Sequence, residues 1–106
     1  GLQVNALNVG NHLRAGLTKL AETHDIIGDV RGHGLFTAVE FVSNRDAKTP
    51  AADAASTVVD AMRDRGVLLS RTGRDDNELK IRPPLPFSLE NADLLLTTLD
   101  ESLDAL

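Results

Sequence analysis

Residues 35–42, LFTAVEFV, constrain the fold more than any other stretch of this chain. Read as a strand, they place Leu35, Thr37, Val39 and Phe41 on one face and Phe36, Ala38, Glu40 and Val42 on the other. Both faces are mostly apolar, so the strand must be central or covered on both sides. The preceding IIGDV, residues 26–30, reads as a second strand, and RGHG supplies a glycine turn between the two. Gly32 and Gly34 permit the positive φ that a tight reversal or bulge needs. The same four residues invite an anion-nest reading. They do not fit the dinucleotide fingerprint, in which a helix follows the glycines, because here a strand follows.

Helical patterns surround this hairpin. Leu2, Ala6, Val9, Leu13, Leu17 and Leu20 recur at three- and four-residue steps, predicting a helix over residues 2–23. Asn5, Asn11, Arg14, Lys19 and Glu22 occupy its polar face. Gly10 and Gly16 lower helix propensity and permit close approach of a neighbour. After the polar SNRDAKTP loop, Thr49 is the expected cap of a second helix beginning at Pro50. That helix buries Ala52, Ala55, Val58, Val59 and Met62 and stops at Gly66. VLLS reads as a short buried strand, RTGRDDN as a polar turn and ELKIRP as a further strand ended by Pro83 and Pro84. Ser88 caps a last helix with Glu90 in its first turn. Ala92, Leu95, Leu96, Leu99, Leu103 and Leu106 face inward there, and Asp93, Asp100, Glu101 and Asp104 face water. The order α-β-β-α-β-β-α predicts an α+β domain: a small antiparallel or mixed sheet with helices packed on it.

Composition removes several function classes. At 106 residues the chain is one domain. With no cysteine, disulfides and thiolate metal sites are out, and nothing points to an oxidising compartment. No apolar run approaches the ~20 residues of a membrane span, and no signal segment opens the chain, so a cytoplasmic protein is expected. A net charge of −5 with dispersed basic residues and three aromatics argues against nucleic acid.

Few residues offer chemistry. His12, His24 and His33 do not pair with one another at metal-ligand spacing, so no metal site is expected. None of the serines sits in a nucleophile elbow. Asp75 and Asp76 belong to a solvated turn. The notable motif is LKIRPP, residues 79–84. On a strand, Lys80 and Arg82 share a face opposite Leu79 and Ile81. Two cations on one face suit a carboxylate or phosphate. They equally suit an edge strand guarded by charge.

GDVRGHGLFTAVEFV and GVLLSRTGRDDNELKIRPPLPFSLENADLLLTTLDESL together resemble the C-terminal part of class III aminotransferases, the ornithine and 4-aminobutyrate aminotransferase family. The resemblance extends from the first helix to Leu106. It is strongest to the branch that holds alanine–glyoxylate aminotransferase 2 and ethanolamine-phosphate phospho-lyase. It implies a fold-type I enzyme using pyridoxal 5′-phosphate, dimeric, acting on an amine substrate and a keto acid. A large domain would carry the cofactor lysine, and residues 1–106 would be the small domain that closes over the substrate. The helix that opens directly at the first residues, without a cap, suits a segment of a longer chain. Several relatives use an arginine three positions before the first proline of this motif to bind the substrate carboxylate. Here that position is Lys80, a point charge without the guanidinium fork. Lys80, with Arg82 second, is therefore the expected substrate-side cation. No catalytic or cofactor-binding residue is expected among residues 1–106, and Lys19, Lys48 and Lys80 all lie outside the cofactor-lysine context. The alternatives are a phospho-lyase acting on a phosphorylated amine and a stand-alone anion-binding or assembly module.

Overall fold

The computed structural model describes residues 2–67, 69–73, 75–83 and 87–106; Leu68 and Pro84, used in the sequence reading, lie outside them. Helix α1 spans Leu2–Thr23, strand β1 Ile27–His33, strand β2 Phe36–Asn44 and a two-residue strand β3 Thr49–Pro50. Helix α2 spans Ala52–Asp64, strand β4 Ser70–Thr72, strand β5 Glu78–Ile81 and helix α3 Leu89–Asp104. The sheet order is β1-β2-β5-β4 with β3 beside β2, and every pairing is antiparallel. The protein is thus α+β, in the expected element order with one short strand added.

β2 is central, one of the two arrangements its apolar faces led us to expect. It pairs with β1 on one side and β5 on the other. Thr37, Val39 and Phe41 are fully buried beneath the helices, and Ala38 and Val42 are buried on the opposite face. The hairpin between β1 and β2 turns on Gly34 and Leu35, with Gly34 at φ +58°. Glycine first is the pattern of a type II′ turn, whose twist matches that of the strands. Gly32 does not take a positive φ. Its role is close approach, since a Cβ there would stand 2.9 Å from the Thr37 Cα.

Helix α1 lies on β1 and β2, α2 on β2, β4 and β5, and α3 packs against both α1 and α2. Val9, Leu13 and Leu17 from α1, Ala55, Val58 and Met62 from α2, and Ala92, Leu95, Leu99 and Leu103 from α3 meet Val39, Phe41, Leu79 and Ile81 in one core. Gly10 and Gly16 mark close approaches of neighbours to α1. At Gly10 a Cβ would run into the backbone carbonyl group of Gly34, and at Gly16 into the Leu96 side chain. Arg14, expected on the solvent face, is half-buried instead. Its Nη1 donates to the carbonyl oxygens of Gly34 at 2.8 Å and Phe36 at 3.2 Å, and to Thr37 Oγ1 at 3.2 Å. Asn5, also placed on the polar face, donates to the Phe87 carbonyl at 3.1 Å.

Several local expectations need correction. Thr49 and Pro50 do not open α2. They pair with Asn44 and Val42 as β3, and α2 starts after Ala51 with no side-chain cap. The ladder to β2 outcompetes the cap because Ala51 N–H also donates to the Phe41 carbonyl at 3.1 Å. The strand expected at VLLS begins later, at Ser70, and runs into the predicted turn, because Ser70, Arg71 and Thr72 find partners on β5. Leu106 is exposed, lying past the end of α3. The other end signals act as read. Gly66, at φ +87°, closes α2 with Gly66 N–H donating to Arg63 and Val67 N–H to Met62, the Schellman pattern. Ser88 forms a reciprocal capping box with Asn91.

Asn77, read as part of a polar turn, is buried and joins β5 to β2. Its Nδ2 donates to the Phe41 carbonyl at 2.8 Å, and its own carbonyl accepts from Phe41 N–H at 2.8 Å. Asn77→Ala is expected to lower unfolding free energy by about 1–3 kcal/mol in chemical denaturation, the cost of a lost buried partner. Helix propensity alone predicts that Gly10→Ala stabilises by about 1 kcal/mol. The packing against Gly34 predicts the opposite sign, a loss of about 1–3 kcal/mol. A gain in stability for this variant would show that α1 is not seated on the hairpin turn.

Candidate functional site

The sheet has one face under the helices and one face without them. Cross-strand register organises the latter into rows. Asp29, Glu40, Glu78 and Thr72 form one row; Arg31, Ala38, Lys80 and Ser70 form the next. Phe36 lies in the row beyond, and Arg82 follows β5 at that level, its guanidinium carbon 5.1 Å from the Phe36 ring centroid. That distance is within cation–π range.

The acidic row gathers on a single cation of the next row. Arg31 pairs with Asp29 at 2.8 Å and Glu40 at 3.4 Å, and also with Glu78. All three carboxylates of the row are therefore drawn to one guanidinium. Lys80, half-buried two residues from Glu78, has no hydrogen bond or ion pair among the described residues. Its register neighbours are the small Ala38 and the hydroxyl-bearing Ser70. The edge-guard explanation does not hold for it: β5 lies between β2 and β4, and β4 is the edge. Lys80 thus sits on an interior strand, on a helix-free face, with its charge uncommitted to any described carboxylate.

Arg82 is exposed and stacked on Phe36, and it also lines a mostly apolar cavity of about 240 Å³ with Val67, Ile81, Phe87 and Leu95. An ammonium and a guanidinium on adjacent rows of one face can hold an anion brought to that face. The gathering of the acidic row on Arg31 was not legible in the sequence, because Arg31 and Glu78 are 47 residues apart.

The described residues do not build a holder for pyridoxal 5′-phosphate. Lys19 and Lys48 are exposed. Lys80 stands between Ala38 and Ser70, and the carboxylates nearest in register are committed to Arg31, leaving none for a pyridinium nitrogen. RGHG, expected as the turn, is instead the end of β1 plus the first turn residue, with the Gly34 carbonyl occupied by Arg14. His33 pairs in register with Phe36, whereas His12 and His24 meet aspartates of α3. Among the described residues no helix is long and apolar enough to cross a membrane.

Comparison with known proteins agrees with this architecture. A family model described as Aminotransferase class-III matches residues 1–103. A mitochondrial alanine–glyoxylate aminotransferase 2 homolog of Arabidopsis thaliana is 46% identical over 102 residues, covering 96% of this chain and 21% of the relative. An ethanolamine-phosphate phospho-lyase homolog of Caenorhabditis elegans is 38% identical over 96 residues, covering 90% of this chain and 21% of the relative. Among solved structures, an Arthrobacter phospholyase in complex with phosphoethanolamine superposes with a TM-score of 0.93 at 40% identity, covering 99% of this chain and 25% of that one. The chain spans about a fifth of the length of the curated relatives it matches. With the match running over nearly every residue and the fold superposing closely, the chain belongs to the class-III aminotransferases.

Proposed function

We propose that residues 1–106 are the C-terminal small domain of a pyridoxal-phosphate-dependent transaminase that exchanges an amino group between an amine and a keto acid. The family match over residues 1–103 supports the reading. In it, a large domain of the same protein holds the cofactor, which supplies an electron sink for substrate carbanions. This domain covers the substrate and presents Lys80, with Arg82 beside it, to the substrate's anionic group. The observation that carries this role is Lys80 on an interior strand of the helix-free face, without a described partner. In open water such a cation contributes only about 0–1 kcal/mol to holding an anion. Its contribution grows once a docked domain excludes solvent. The full protein works as a homodimer on this reading. The absence of cysteine suits a reducing compartment such as the cytoplasm.

A second reading is favoured by the same residue. Lys80 replaces a fork-shaped guanidinium with a compact ammonium, which suits phosphate as a point charge. The phospholyase that superposes at a TM-score of 0.93 is bound to phosphoethanolamine. On this reading the full protein eliminates phosphate from a phosphorylated amine. The two are separated by incubating the full-length protein with phosphoethanolamine and with amine plus keto acid. Inorganic phosphate release marks the lyase, and amino-group transfer marks the transaminase.

In the full-length protein, Lys80→Ala is expected to raise the KM of an anionic amine at least about tenfold, equivalent to about 1.4 kcal/mol, while a neutral amine changes less than about twofold. Equal effects on both amines would remove Lys80 from substrate recognition. Lys80→Arg is expected to improve kcat/KM for carboxylate-bearing amines relative to phosphorylated ones, since it installs a bidentate fork. An unchanged ratio would show that the side chain at position 80 does not discriminate anions.

A further inference from the structure

Helices α1 and α3 run parallel. Asn5 meets Phe87, His12 meets Asp93, Gly16 meets Leu96 and His24 meets Asp100, so positions ascend together along both. Their C-terminal ends therefore converge. Neither helix has a basic residue in its last turn. The α3 C-terminus carries the equivalent of roughly half a negative charge from its aligned peptide dipoles.

At this convergence three potential metal ligands meet. His24 Nε2 lies 2.6 Å from Asp100 Oδ1 and 3.7 Å from Asp104 Oδ1, and all three donor atoms fall within 4.8 Å of one another. Asp100 and Asp104 are four apart on α3, which stacks their side chains on one face a turn apart. The His24 side chain is only 10% exposed, so the ring is held in place, while both aspartates reach solvent. Donors bound to one ion at about 2.0–2.2 Å stand roughly 3.0–3.6 Å from each other. The observed separations bracket that range, and side-chain rotation of the two exposed aspartates closes the remainder.

The surrounding charges favour a cation. Arg45 covers only the α1 end, donating to the carbonyls of Ala21, His24 and Asp25. Arg65 approaches Glu101 at 3.9 Å, one residue along α3. Two carboxylates and the α3 terminus remain facing His24.

We propose that His24, Asp100 and Asp104 form a binding site for a divalent transition metal ion of the zinc type, with water completing the coordination sphere. One nitrogen and two carboxylate oxygens suit zinc, cobalt or manganese better than an alkaline-earth ion, which prefers an all-oxygen shell. The ion ties the end of α1 to the end of α3, far along the chain from Lys80. The His12–Asp93 pair, also 2.6 Å apart on the same seam, has one carboxylate and supplies an internal control.

The test uses full-length protein stripped of metal by chelation and titrated with Co²⁺, then Zn²⁺. The expected result is one saturable equivalent with visible d–d absorption, displaced by Zn²⁺, and a rise in melting temperature with Zn²⁺. Asp104→Asn, at an exposed position, and His24→Ala are each expected to weaken binding at least about tenfold, the lower end for loss of a supporting group at a metal site. His12→Gln is expected to leave it unchanged. Absence of saturable binding overturns the proposal. So does binding that Asp104→Asn leaves intact while the variant remains folded, because the ion then sits elsewhere.

Discussion

The seating of α1 on the hairpin turn is the contact on which the rest depends. Gly10 lets the helix backbone approach the Gly34 carbonyl group, and Arg14 then donates to Gly34, Phe36 and Thr37. One guanidinium satisfies acceptors at the end of a strand that has no further ladder to use. Buried acceptors left without donors would cost more than most single contacts contribute. Once α1 is seated, Leu13 and Leu17 cover Val39 and Phe41, and the helix-bearing face of β2 is closed. β2 can then be fully interior, with β1 on one side and β5 on the other. The position of Lys80 follows from that, since β5 takes its register from β2.

The opposite face is governed by electrostatics rather than by packing. Three acidic side chains and one arginine converge in a single region, so one guanidinium is shared by all three carboxylates. An acidic protein would be expected to pair each of its cations. Here the geometry concentrates pairing on Arg31 and leaves Lys80 beside a small residue and a hydroxyl. Antiparallel sheets commonly leave one face to solvent, and here that face carries Lys80 and Arg82.

Local signals were legible where a few neighbouring residues decide the outcome. The glycine-first turn at Gly34, the Gly66 stop and the Ser88 cap act within four residues and behave as their chemistry predicts. Strand alternation in LFTAVEFV put Thr37, Val39 and Phe41 on one face, which is the face buried beneath the helices, and of the two arrangements expected for the strand the fold uses the central one. Signals failed where a distant partner outbid the local one. Thr49 and Pro50 joined β2 instead of capping α2, and Ser70–Thr72 left a predicted turn to pair with β5. Asn77 and Arg14 look like solvent-facing polar residues in the sequence and are structural in the fold, because their acceptors lie 36 and 20–23 residues away.

The amino-acid order alone determined the class of the protein: periodicity and end signals specify three helices, a hairpin and the KIRPP motif, since those depend on backbone preferences and on neighbours within a few residues. Which polar side chains meet was decided only in three dimensions. Arg31 reaches Glu78 across 47 residues, and His24 reaches Asp100 across 76. Coulombic pairing acts through space, and no spacing along a chain encodes which side chains a parallel helix pair or a four-strand register will bring within a few ångströms.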